Sequence, residues 1–357
     1  MNLHYSEDQR SLGKALRSEL RRTMTGGDGA GPDGADECLA RLGVFGLQVP
    51  GDAGGLDLGT GLSAVVCEEL GRAAARDHYR AAELLADVVA AGGGPVAEPG
   101  LLASIAQGRA TVEAAGAVTP LRARQVDHGV ELTGLTVMPG ELARMAFLVV
   151  PAEVDDGGRE VFAAVSMEAP GLTAGPGPRR GTSRIRADGV IAAAVADTGG
   201  AGGMPGRALT RARIRHGAYL LGLGEGAHAL SCRWVARRRQ FGRALGDYQA
   251  LAFPLASQLA HAEAVRLLVH RAGWLCDHGQ QAALAATEAV AYAAELALEL
   301  TGFALHVHGA FGLTRGAPVH RYYERAAAEA LRWGTPARLW RVAAILAGRE
   351  DGAPAGA

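Results

Sequence analysis

The sequence predicts an α+β fold, with an N-terminal helical domain over 1–109, a small middle β-barrel or sheet domain over 110–200, and a C-terminal four-helix bundle over 201–357. Three observations predict it. Apolar residues recur at steps of three and four at both ends of the chain, while the middle alternates with a period of two. Clusters of Gly, Pro and Asp stand at the changeovers.

Residues 4–25 read as an amphipathic helix opening at Ser6-Glu7-Asp8, whose acids sit at the positive end of its dipole. Gly26–Asp36 reads as a loop. Helical segments flank the turn Val49-Pro50-Gly51-Asp52-Ala53-Gly54-Gly55, and the break Gly92–Pro99 precedes a short helix around Leu101–Gly108. From about Ala110 to Asp197, short runs such as Val130-Glu131-Leu132-Thr133, Ala146–Val150 and Val161–Val165 read as strands. Gly199–Gly206 reads as a flexible joint.

The last third has the cleanest helical period. Leu220, Leu223, Ala227, Leu230 and Trp234 share one face; Leu251, Leu255, Leu259, Ala262, Val265 and Val269 share another, with Gly279 as a C-terminal cap. A third helix spans roughly 281–304, and a fourth starts at Pro318, suited to a first helical turn, and ends before Gly334. Long helices on short connections make a bundle. Gly222, Gly224 and Gly226 lie inside a helical pattern with no strand before them; they read as sites of close helix packing, not as a dinucleotide fingerprint.

Composition narrows the function classes. Apolar residues make up 48%, charged residues 20%, and the net charge is −1, so the chain is neither disordered nor a general polyanion binder. The arginine-rich stretch 207–243 sits in no recognised nucleic-acid module, and no nucleic-acid partner is expected. The most apolar segment, Ala282–Leu305, carries Glu288, Glu295 and Glu299 on one face, so no membrane span is expected. The first residues, MNLHYSEDQR, lack a signal-peptide pattern, and the four widely spaced cysteines fit a reducing, cytoplasmic setting. His306, His308 and His320 lack a carboxylate or thiolate companion at fixed spacing, so no metal is expected.

One motif carries chemistry. Arg237-Arg238-Arg239-Gln240-Phe241-Gly242 falls where one bundle helix ends and a turn leads to the next. A guanidinium there can grip a diphosphate with two parallel hydrogen bonds, and the glutamine amide can add a neutral one. From the arginines alone, a solvated basic face is the competing reading.

Arg238-x-Gln240-Phe241-Gly242 followed by Asp247-Tyr248-Gln249 resembles the signature of the acyl-CoA dehydrogenase family of flavoproteins. Other segments agree in order. Gly43 through Gly46-Leu47-Gln48-Val49-Pro50 and Gly54-Gly55-Leu56 resemble the family's N-terminal stretch, and Glu68-Glu69-Leu70-Gly71-Arg72 resembles its EELGR helix. Leu132-Thr133-Gly134 and Pro170-Gly171-Leu172-Thr173 resemble positions of its β domain. His308-Gly309-Ala310-Phe311-Gly312 with Pro318 and Arg321 resembles its closing stretch. The resemblance implies FAD as cofactor, shared between subunits, and an acyl-CoA or acyl-carrier-protein thioester as substrate. By the same resemblance Arg238 and Gln240 meet the diphosphate and Phe241 and Gln249 line the cofactor path. His306 and Gly309 then lie near the adenosine side, and Thr335 contacts flavin.

The pattern is broken at one place. The family removes an α-proton with a carboxylate, which must be ionised and within reach of that proton. In most members that carboxylate directly precedes the Gly-Thr pair; here the position is Trp333, and Leu209-Thr210-Arg211-Ala212-Arg213, the alternative location, supplies none either. Glu329, on the helical face of Trp333, and Glu225, in the first bundle helix, are the substitutes within the sequence. The β-domain stretches Glu113–Pro120 and Val137–Glu141 also depart from the family's flavin-side segments.

The resemblance therefore implies an FAD-dependent oxidoreductase that desaturates an acyl thioester, as a subunit without its own base in a homo- or hetero-oligomer with a catalytic sister chain. The ending from His306 to Tyr323 is similar to that of the smaller subunit of heteromeric, steroid-side-chain dehydrogenases of actinobacteria. A flavin monooxygenase or other enzyme on the same scaffold, and a non-catalytic structural partner subunit, are the two alternatives.

Overall fold

The structure, a computed structural model, describes residues 5–25, 33–91, 100–116, 119–127, 129–139, 142, 144–154, 159–178, 182–199, 205–314 and 316–351. The stretches 26–32, 92–99 and 200–204, where sequence places loops or a joint, lie outside the described residues. The chain divides into two compact units. One is drawn from Met1–Ala35, Thr60–Arg76 and Arg213–Ala343, the other from Asp36–Gly59, Asp77–Ala212 and Ala344–Ala357.

The helical unit begins with α1 (Glu7–Thr25). Its start is a reciprocal cap: the Gln9 amide N–H donates to Ser6 Oγ (3.1 Å) and the Ser6 N–H to Gln9 Oε1 (2.9 Å). Asp33–Asp36, expected in a loop, instead opens α2 (Asp33–Arg41). The almost wholly buried α3 (Thr60–Arg72) packs on α1. In the sheet unit α4 (Tyr79–Ala91) and α5 (Leu101–Ala106) precede the strands.

Eight strands follow: β1 (Val112–Ala114), β2 (Leu121–Val126), β3 (Gly129–Pro139), β4 (Phe147–Val154), β5 (Arg159–Ser166), β6 (Leu172–Pro176), β7 (Thr182–Ile191) and β8 (Ala194–Asp197). They form one sheet in the order β6-β7-β3-β2-β4-β5-β8, and β1 and β2 both run parallel to β4, one after the other along it. Every other pairing is antiparallel. Leu121, Leu132, Met138, Leu148, Val150, Ala163, Val165 and Ile185 alternate inward to make its core.

The chain then enters α6 (Arg207–Arg237), a short hairpin of β9 (Arg239–Gln240) and β10 (Arg243–Ala244), α7 (Gln249–Asp277), α8 (Ala283–His308), α9 (Pro318–Glu329) and α10 (Pro336–Asp351). The period that predicts the bundle is obeyed by Leu220, Leu223, Ala227, Leu255, Ala262, Val265 and Val269, all buried. Leu259 departs from it, at 58% exposed. The fourth predicted helix is α9, which starts at Pro318 as expected and stops at Glu329; beyond it lies a further helix, α10, which Thr335 caps by accepting the Arg338 N–H (3.2 Å).

Glycines set the helix spacing. A Cβ on Gly222 of α6 would lie 2.0 Å from the Glu68 carbonyl oxygen of α3, and one on Gly71 would lie 2.1 Å from the Tyr219 carbonyl oxygen. Backbones approach there to a distance only glycine permits. The apolar α8 region Ala283–Leu313 is long and apolar enough to cross a membrane by length and composition, and its window is 56% buried within the protein. Glu288 faces Arg271, Glu295 accepts the Trp340 indole N–H (3.0 Å) and Glu299 accepts from Gln258 (3.5 Å), so its polar stripe is used in packing against α7 and α10.

Candidate functional site

The arginine-rich segment forms a rigid hairpin at one end of the bundle. β9 and β10 pair antiparallel around Phe241 (φ 51) and Gly242 (φ 84), a two-residue turn with both central residues in the left-handed region. Glycine tolerates that; phenylalanine does so at a cost of about 1–2 kcal/mol. Its ring is 93% exposed, so burial within the chain does not repay the strain.

Several contacts hold the hairpin. Arg238 N–H donates to the Trp234 carbonyl (2.8 Å) and Leu245 N–H donates to the Arg238 carbonyl (2.8 Å). The Tyr248 hydroxyl donates to the Gln240 carbonyl (3.0 Å), and the Arg243 guanidinium lies 3.8 Å over the Tyr248 ring. Asp247 is engaged as an acceptor for the Ala244 N–H (3.1 Å). It is the only acid between residues 226 and 262. The exposed guanidinium of Arg238 has no acidic partner among the described residues.

The same bundle end gathers the close of α8. Trp234 stacks on His308 (4.8 Å between centroids, 26°) and on Phe311 (5.4 Å, 6°), and packs with Val235, Leu255, Val307 and Phe303. His308 is buried; its Nδ1–H donates to the Ala304 carbonyl (2.7 Å), and burial lowers its pKa. His306, two residues back, is exposed, and Gly309 takes φ 61 where α8 ends. Gln249 is the first residue of α7 and is exposed. Arg238, through its N–H to the Trp234 carbonyl, Gly309, next to His308, and His306, whose ring tilts against Phe303 (6.2 Å), therefore adjoin one aromatic stack. Sequence reading missed His308 and Trp234 as the residues that join them. Thr335 belongs to a second locality, the start of α10.

Trp333 stands beside Thr335, half-buried, edge-on to the buried His216 ring (6.3 Å, 89°). His216 Nε2–H donates to the Glu329 carbonyl (2.9 Å). The Glu329 carboxylate is clasped by Arg332 through Nε (2.7 Å) and Nη2 (3.2 Å). Glu225 lies in a buried ionic cluster, where it pairs with Arg72 (2.5 Å) and Arg266; Arg72 and Arg266 also pair with Glu68, which accepts the Tyr5 hydroxyl. Burial and the Glu68 charge push the Glu225 carboxyl up to about 7 against the pull of the two arginines.

Residues 203–344 match the family model described as acyl-CoA dehydrogenase, C-terminal domain. Benzylmalonyl-CoA dehydrogenase of Aromatoleum aromaticum is 27% identical over 80% of this chain and 81% of its own length. A solved chain of a variant of the Tcur3481-Tcur3483 steroid ACAD superposes with TM-score 0.82 at 26% identity, covering 97% of this chain and 99% of that one. The ChsE4-ChsE5 complex from Mycobacterium tuberculosis shares the fold, with TM-score 0.80 and 22% identity over the full length of both chains. Residues 203–344 thus match the acyl-CoA dehydrogenase C-terminal domain, and the whole chain has the fold of acyl-CoA dehydrogenases.

A glutaryl-CoA dehydrogenase from Mycobacterium smegmatis that shares the fold, with TM-score 0.79 and 18% identity over 99% of this chain and 96% of that one, was solved in complex with FADH2. The donors present suit that group. A hairpin edged by Arg237, Arg238, Arg239 and Arg243, with one engaged carboxylate, is an excess of positive charge that a diphosphate neutralises. Position 333, beside Gly334 and Thr335, holds an indole, which cannot take up a proton.

Proposed function

We propose that this chain is the base-lacking subunit of a heteromeric acyl-CoA dehydrogenase, lending a diphosphate-binding surface to the flavin held with a catalytic sister chain. Bound FAD supplies the hydride acceptor for desaturation of an acyl thioester. The chain's own residues bind and orient. Arg238 and Gln240 hold the diphosphate, Phe241 and Gln249 flank the cofactor, and His306 and Gly309 border the adenosine side. Thr335 reaches the flavin from a second locality.

The observation that carries this reading is a pairing of opposites. A pre-formed cationic hairpin faces solvent, while the base position is Trp333 and the nearby carboxylate, Glu329, is held by Arg332. Glu225 is committed to Arg72 and Arg266. A group so paired is a poor proton acceptor for a substrate. The heteromeric assemblies named for the similar Tcur3481-Tcur3483 and ChsE4-ChsE5 structures support the same arrangement here.

The test is co-expression with a dehydrogenase-like sister chain that carries a catalytic base. Flavin per protomer, stoichiometry and thioester desaturation are then compared between the complex and this chain alone. Flavin and turnover confined to the complex is the expected result. Full flavin occupancy with turnover by the lone chain would sink the proposal.

A further inference from the structure

On the outward face of the sheet, arginines stand in register with carboxylates. Arg124 of β2 donates from Nε to Glu131 of β3 (3.1 Å), its register partner, and Arg122 stands beside Glu153 of β4. Two positions on β7 break that rule. Arg184 and Arg186 are exposed, with the buried Ile185 turned inward between them. Beside Arg184 stand Val137 of β3 and Gly175 of β6; beside Arg186 stand Leu135 and Thr173. None of these four is an acid, and neither arginine has an ion pair among the described residues. The sequence from 169 to 187 contains no Asp or Glu.

Asp188, two residues further along β7, is exposed beside Thr133 and ends the row. The outward positions of β7 thus read plus, plus, minus at steps of about 7 Å. An apolar strip runs alongside on β3, where Leu135 is 46% exposed and Val137 half-buried. Two unopposed like charges at that spacing repel, and they add nothing to the subunit's own fold.

The pattern specifies what fits it. An extended segment laid flat on a sheet face leaves its N–H and C=O groups unpaired, whereas a helix pairs its own. Helix positions four apart are about 6 Å apart along one face, close to the steps of β7. A polyanion or an anionic lipid surface would meet Asp188 with like charge. We propose that this face docks an amphipathic helix of a partner protein, whose charges run acid, acid, base at i, i+4 and i+8 against Arg184, Arg186 and Asp188. The apolar edge of that helix lies on Leu135 and Val137. Docking of this kind does not depend on how the chain treats flavin.

Fluorescence anisotropy of the full chain with labelled peptides tests the face. The first peptide is a sixteen-residue, alanine-based helix with glutamate, glutamate and lysine at successive steps of four, and leucine three residues after each. The second has the same composition in the order glutamate, lysine, glutamate. The first should bind, more weakly as salt rises, and about tenfold more tightly than the second, in which two matched contacts have become two repulsive ones. Arg184→Ser with Arg186→Ser, both at exposed positions, should melt within a few degrees of wild type and lose the preference. Arg184→Gln alone, which keeps the stem, should lose part of it. Arg122→Ser, beside Glu153, and Arg238→Ala, on the hairpin, should keep it. Equal binding of the two peptides by wild type, or a preference that survives the double change, overturns the docking face. So does binding of pyrophosphate or of phosphatidylserine vesicles that the double change abolishes while neither peptide binds, because the face then takes phosphates.

Discussion

The guanidinium of Arg238 faces water in the lone chain, so deleting it separates cofactor binding from folding. Arg238→Ala is expected to leave unfolding free energy within about 0.5 kcal/mol of wild type, as for a surface site without partners. A lost charge-assisted contact to a diphosphate is worth about 1.5–3 kcal/mol, so flavin affinity of the assembled enzyme should fall roughly ten- to a hundredfold. Arg238→Lys keeps the charge and loses the fork, and should lie between the two. Flavin absorbance per protomer after gel filtration reads this out; unchanged flavin in Arg238→Ala would remove the diphosphate role. Glu225 gives a prediction of opposite kind. Its carboxyl titrates near 7 in the fold against an ordinary value near 4.5, so between those pH values the native state holds a proton that the unfolded chain has released. Stability from this group is therefore full below about pH 4.5 and is lost as pH rises through 7, by on the order of 2–3 kcal/mol. Glu68 opposes burial through Arg72 and Arg266, is held below its usual range, and acts in the opposite sense at lower pH. Glu225→Gln should flatten the fall between pH 5 and 7 in denaturant titrations; an unaltered slope would refute the assignment.

At the level of elements, helix crossings are set by glycine more than by large side chains, as the scarcity of aromatics requires. Gly222→Ala drives a methyl against the Glu68 carbonyl, which cannot move without shifting α3, and should cost about 1–3 kcal/mol or more. Gly302→Ala is the matched control within α8. Nothing lies within 4 Å of a Cβ there, and helix propensity should stabilise the protein by about 0.5–1 kcal/mol. Thermal unfolding of the pair measures both signs, and a neutral Gly222→Ala would show that the helices yield. The three glycines were legible as packing sites because they interrupt a helical period at intervals of two. So were the strong faces of α6 and α7. The further helix α10 could have been read from Thr335-Pro336, a cap followed by a first-turn proline. β7 is harder to delimit in the sequence because its outward positions carry arginines, Arg184 and Arg186, between the buried Ser183, Ile185 and Ala187, and charge masks the alternation. The hairpin motif was legible because its residues are adjacent in sequence. Arg213 with Thr287, and His216 with Glu329, join positions 74 and 113 residues apart; periodicity names a buried face and not the side chain opposite it.

For the whole molecule the question is why an unassembled chain keeps an aromatic ring in water on a strained residue. Phe241 contributes almost no burial to the isolated fold, and its positive φ opposes folding by about 1–2 kcal/mol. Replacing it by glycine relieves that strain, while the greater freedom of glycine in the unfolded chain takes back about 0.5–1 kcal/mol. The lone chain should therefore melt within a few degrees of wild type, or slightly higher. In an assembly that covers the hairpin, the same change removes a ring whose burial is worth about 1.5–3 kcal/mol. Phe241→Gly should then weaken association with the sister chain and loosen its flavin, with no loss in the subunit alone. Sedimentation velocity of the mixed chains, with and without added FAD, measures the first effect, and flavin retention on gel filtration the second. If Phe241→Gly destabilises the lone chain by several kcal/mol, the ring serves the subunit's own fold. If assembly and flavin retention are both unchanged, the hairpin is not the surface across which two chains share a cofactor.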